Sequence, residues 1–184
     1  MSPDPAPKVT IPARVTVAEL ASALKVDVAE VQGVLTARGE PCSTDDEVAG
    51  DLASAVARAL GRALAIEPRD LALEALYQHE VGGEDGESIE MTGRVGFLVR
   101  GVLEHKEELD YEIESASEHW SVARMPVIDR TILRLGLFEL RHSKDTPTGA
   151  VVAEAVRLAQ TYSTERSGAF VNGVLASLAR AARG

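Results

Sequence analysis

Histidines, carboxylates and arginines are the side chains of this chain equipped to hydrolyse a bond, coordinate a metal or hold an anion, and their spacing decides among those roles. His79, His105, His119 and His142 are scattered, without the His-x-x-x-His spacing that sets two imidazoles on one helical face. Glu139-Leu-Arg-His142 has Glu-x-x-His spacing, but it occurs once, and a helical di-metal site needs a second copy. Cys42 stands alone, which excludes an intrachain disulfide and a Cys-rich zinc site and suits a reducing cytoplasm. Gly82-Gly-Glu-Asp-Gly86 carries carboxylates that repel phosphate, so it reads as a connection and not as an anion cradle. Neither catalysis nor a metal or other cofactor is therefore expected.

Three constellations suit binding instead. Arg130 and Arg134 lie four apart on an otherwise apolar helical stretch flanked by Asp129 and Glu139. Half-buried guanidinium groups need carboxylate partners, which predicts an internal ion pair from Arg130 to Glu154, with a phosphate contact as the alternative. Ser167 is placed to cap the last helix, leaving backbone N–H groups around Gly168 and Ala169 able to hold an anion. Phe170 beside it offers a ring for base stacking, or a core side chain at helical spacing with Val174 and Leu178. Asn172 follows as a polar residue open to either role. Tyr77 and Gln78 end an earlier helix, where an aromatic with a polar tip suits either a partly wet contact or the edge of the core.

Helical periodicity supplies the elements that must position these residues. Residues 1–13 hold four prolines and read as a disordered or extended lead-in. Residues 14–63 form a small helical segment. Thr16 and Glu19 make a capping box for Val17–Leu24, and Asp27 caps a second helix to Arg38 that Gly39 stops. Two short helices joined by three residues are helix-turn-helix-like. Ser43 then offers a capped start leading into Ala49–Leu60. From residue 64 to 184 a larger domain is expected. Pro68 opens its first helix, Thr92 caps a single long helix through Ile113, and Pro126 and Pro147 mark two further starts. A last helix runs over residues 168–182. Period-2 alternation is absent, so the fold class is all-α.

Charge narrows the partners. The net charge of −10 argues against a polybasic binder that gains its affinity mainly from phosphate neutralisation, so any RNA site is a local patch on an acidic body. Residues 1–67 hold six Lys and Arg against ten Asp and Glu, and the second helix of the helix-turn-helix-like segment carries only Arg38. That favours protein docking or spacing over DNA reading. An apolar run long enough to span a membrane is also missing.

Three segments in fixed order carry a family likeness: Leu71-Ala-Leu-Glu-Ala-Leu-Tyr-Gln78, Val127-Ile-Asp-Arg-Thr-Ile-Leu-Arg-Leu-Gly-Leu-Phe-Glu-Leu140, and Ser167-Gly-Ala-Phe-Val-Asn-Gly-Val-Leu175. With Arg130, Glu139, Pro147, Glu154 and Asn172 at matching places, residues 68–182 resemble the NusB family of transcription antitermination factors. Residues 14–60 resemble, more weakly, the small N-terminal domain of bacterial initiation factor two. The NusB resemblance implies two packed helical groups that bind single-stranded boxA-type RNA together with a NusE-like small-subunit ribosomal protein. The assembly then joins the RNA polymerase antitermination complex, notably on ribosomal RNA operons. Carried over residue by residue, the resemblance points to Arg69, Ser167, Phe170 and Asn172 for RNA, with Arg166 as a partial substitute for missing cations. It points to Tyr77, with Gln78, for the protein partner. This chain departs from the family pattern where an arginine cluster is reduced to Ile66-Glu-Pro-Arg-Asp70, and where Ala153 and Ala169 stand in place of Asn and Lys. Those departures keep a second expectation open, a protein-only interaction module of the same fold.

Overall fold

The computed structural model describes residues 9–82, 92–117 and 120–183. The expected connection over residues 83–86 and His119 lie outside the described residues. The chain divides into two compact units after Asp70, within the first turn of a helix over Pro68–Gly82.

The first unit places helices α1 (Val17–Leu24), α2 (Val28–Ala37) and α3 (Gly50–Ala59) around a small core of Val17, Leu20, Val31, Leu35, Ala53 and Val56. The expected capping box of Thr16 with Glu19 is present, and the expected cap at Asp27 has Glu30 as a reciprocal partner that accepts the Asp27 N–H. Each satisfies N–H groups that a helix start otherwise leaves bare. Gly39 follows α2 at φ +83, a left-handed conformation that glycine adopts without the steric cost a Cβ brings.

Three expectations in this unit are corrected. Among the described residues four strands of three residues each are present: β1 (Val9–Ile11) pairs parallel with β4 (Leu64–Ile66), and β2 (Arg14–Thr16) pairs antiparallel with β3 (Glu47–Ala49). Three residues are too few to display a period of two, so the pattern was silent. Residues 9–13 of the expected lead-in belong to the unit, because Ile11 is buried in its core and Ala13 donates its N–H to Asp70. The third helix starts at Gly50 and not near Ser43, whose N–H is held by the Asp46 carboxylate in a local turn ahead of β3.

The second unit is helical throughout its described residues, in keeping with the all-α expectation. It comprises α4 (Pro68–Gly82), α5 (Gly93–Glu104), α6 (Lys106–Ala116), α7 (Val127–His142), α8 (Thr148–Tyr162) and α9 (Ser167–Arg183). A single 3-10 turn, Val122–Arg124, precedes α7. Helix α7 is the centre of the unit, since every residue from Thr131 to Leu140 is buried. Helices α8 and α9 pack on it and on each other, and α5 and α6 also pack on it. The single long helix expected from Thr92 breaks at His105, whose Nδ1 lies 2.9 Å from the Gly101 carbonyl oxygen. At the same place the Phe138 ring of α7 lies against Gly101 and His105.

Candidate functional site

Charges buried on a helix such as α7 need an opposite charge or hydrogen bonds, and Arg130, Arg134 and Glu139 find ionic partners on three other helices. Arg134, 6% exposed at its side chain, donates to Asp110 of α6 at 2.6 and 3.0 Å and to Glu80 of α4 at 2.5 Å. Arg130 donates to the other Glu80 oxygen at 2.8 Å and to the Met125 carbonyl at 3.2 Å. The expected Arg130–Glu154 pair does not form. Glu80 lies between both arginines, while Glu154 bonds Arg157 one turn along its own helix at 2.9 Å. Glu139, 1% exposed, is paired with Arg94 of α5.

The end of α8 and the start of α9 are tied to α7 through Asp129, a buried carboxylate. Ser163, which caps α8, donates to one Asp129 oxygen at 2.5 Å, and Ser167, the first residue of α9, donates to the other at 2.9 Å. The hydroxyls of Ser163 and Thr164 stand 3.0 and 2.8 Å from that of Ser167. The helix start is prepared one turn before Ser167, where Thr164 accepts the Ser167 N–H and donates its own N–H to the Ser167 hydroxyl. Ser167 is thus buried and spoken for, and faces the core where the sequence had set it at an anion site.

What this turn presents to solvent is Arg166, Ala169, Asn172 and Gly173, all exposed along the first two turns of α9. Phe170 is half-buried and packs on the core beside Val171 and Val174, which matches its core alternative. Arg166, just before α9, and Asn172, within it, are thus both accessible, while Ser167 is buried and Phe170 half-buried. Arg69 belongs to the first unit; its side chain is 16% exposed and donates to Glu67 at 3.2 Å. On α4 the exposed residues are Glu74, Tyr77, Gln78, His79, Val81 and Gly82, and the apolar Tyr77 and Val81 lie four apart on one face.

Two groups carry shifted acidity. Burial raises the pKa of Glu80, but Arg134 and Arg130 outweigh it and hold the carboxyl below its ordinary 4.5. His142 is lowered from 6.5 by burial, by His105 at 4.8 Å between ring centres and by Arg141, with Glu108 opposing. Both folded values lie below the unfolded ones, so each contribution to stability is present at higher pH and lost as pH falls. The melting temperature should decline first as pH drops through 6.5 and again below 4.5. His142→Gln should flatten the upper decline alone in a pH series of thermal melts. An upper decline unchanged in that variant would assign it to another group.

Asp129, Glu80, Asp110 and Arg94 were not singled out as partners from sequence. Glu80 did carry a signal, because it extends the buried stripe of Leu73 and Leu76 by one more turn. Asp129 carried one too, lying three residues before buried Ile132 and seven before Gly136 on the same helical face. Among the described residues no cluster of three or more His, Cys, Asp or Glu side chains is arranged to hold a metal, and no helix is long and apolar enough to cross a membrane.

Known proteins are similar to this chain in sequence and fold. The Transcription antitermination protein NusB of Symbiobacterium thermophilum is 40% identical over 139 residues, spanning 63% of this chain and 89% of its own length. A solved structure of T. maritima NusB superimposes with a TM-score of 0.56 at 35% identity, covering 61% of this chain and 88% of that one. A crystal structure of the antitermination factors NusB and NusE in complex with dsRNA matches with a TM-score of 0.53 at 32% identity, covering 62% and 94%. The model of the NusB family matches residues 66–180, a span that holds α4 to α8, most of α9, the Asp129 tie and the exposed Arg166 and Asn172, and the chain belongs to that family.

Proposed function

We propose that this chain is a transcription antitermination factor that binds boxA-type RNA jointly with a NusE-like ribosomal protein and works in the cytoplasm without catalysing a reaction. The observation that carries the reading is the exposed start of α9, where Arg166 and Asn172 reach solvent on a rigidly tied turn within the family-matched span. One guanidinium, a polar amide and backbone N–H groups at a helix start suit a phosphate and a base edge. The NusB relative solved with NusE and dsRNA supports this pairing of partners. Tyr77, Gln78 and Val81 on α4 form the surface assigned to the protein partner, an aromatic and an aliphatic group ringed by polar side chains.

So few cations set the expected affinity. Arg166 and the backbone N–H groups of the α9 start allow about one or two phosphate contacts, which gives a log–log salt slope of about −0.7 to −1.4 for single-stranded RNA. Arg166→Glu should weaken binding and make the slope shallower by about 0.7. A salt titration of fluorescence anisotropy with boxA-type RNA measures both; an unchanged slope in the variant would remove Arg166 from the site. The second reading, a protein-only module, is favoured by the burial of Ser167 and by the Arg69–Glu67 pair. Under it the partner binds while the RNA signal stays flat.

A further inference from the structure

We propose that Asp129 is the positioning residue of the RNA-facing turn, and that Ser163 and Ser167 serve as its two pins and not as RNA contacts; this rests on the RNA reading above. Asp129 is 4% exposed, and among the described residues its carboxylate faces no cation. A buried carboxylate without a counter-charge is costly unless hydrogen bonds compensate it. Both oxygens are compensated by hydroxyls, one from Ser163 at the end of α8 and one from Ser167 at the start of α9. The three residues between those pins, Thr164, Glu165 and Arg166, are all exposed. One carboxylate therefore fixes both ends of the segment that carries Arg166, and fixes the direction in which α9 presents Asn172 one to two turns later.

Asp129→Asn tests the tie with little change of shape. An amide offers one acceptor oxygen where the carboxylate offered two, so one pin loses its acceptor. Using the full chain and a short fluorescein-labelled single-stranded RNA carrying a boxA-type element, the variant should bind about tenfold more weakly, the size of one lost hydrogen bond to a charged group. Amide exchange should quicken at Glu165 and Arg166 while the α7 amides stay protected. The discriminating readout is coupling. In the Asp129→Asn background Arg166→Glu should cost much less than in the parent chain, because Arg166 is no longer held in place. Ser163→Ala, which removes one pin from a half-buried site, gives the same test should Asp129→Asn not fold, and should show the same coupling. Unchanged RNA affinity in either folded variant, or an Arg166→Glu effect that simply adds, would overturn the proposal while leaving the RNA reading standing. A parent chain that binds no RNA, alone or with the NusE-like protein, would overturn both.

Discussion

Arg134→Ala is expected to lower the stability of the helical unit by about 3 kcal/mol, the lower end of the roughly 3–5 kcal/mol seen when one partner of a buried ion pair is removed. The side chain is 6% exposed and makes three hydrogen bonds, so its loss uncovers two carboxylates at once. Neither is left wholly bare. Glu80 keeps Arg130, and Asp110, 27% exposed, can turn to water, which is why the lower end applies. Urea denaturation followed by circular dichroism measures the change. A loss below about 1 kcal/mol would mean the network behaves like a surface ion pair.

Gly101→Ala should also destabilise, against the ordinary trend. In an exposed helix interior that change gains about 1 kcal/mol from helix propensity. Here the new Cβ would overlap Phe138 Cζ and both of its Cε atoms, far inside van der Waals contact. Phe138 has no room to retreat, being 2% exposed and stacked on His142 at 4.6 Å with Phe97 at 5.2 Å on another side. Overpacking of about 1–3 kcal/mol outweighs the propensity gain, so the melting temperature should fall. A rise would show that Phe138 and α5 part easily.

Much of the helical frame was legible because long amphipathic stretches repeat their signal over many turns. The starts at Thr16, Asp27, Pro68, Thr92 and Pro147 were each announced by a residue whose side chain or fixed φ suits a helix end. The break at His105 was not, because it follows from a ring on α7 wedged against Gly101, a contact 37 residues distant in sequence that no local pattern encodes. The short strands escaped for the same reason: Val9–Ile11 is a strand only because Leu64–Ile66 lies beside it.

The candidate site was proposed from residue type and motif order, which singled out the α9 start and Tyr77, while its wiring was less legible. The sequence predicted that Arg130 needs a carboxylate, but chose Glu154; distance in three dimensions selected Glu80, which also serves Arg134. Ser167 illustrates the limit most plainly. A serine at a helix start reads as a cap facing solvent, and only the buried Asp129 on another helix turns it inward.

Under the proposed function the start of α9 holds boxA-type RNA together with a NusE-like protein at Tyr77. Anisotropy of a labelled boxA-type RNA, titrated with the full chain in the absence and presence of that protein, checks this. Weak binding alone and clear tightening with the partner are expected, with the tightening lost on Tyr77→Ala and the binding of the chain alone weakened by Arg166→Glu. Partner binding that leaves RNA affinity at zero, or RNA binding indifferent to both substitutions, would contradict it.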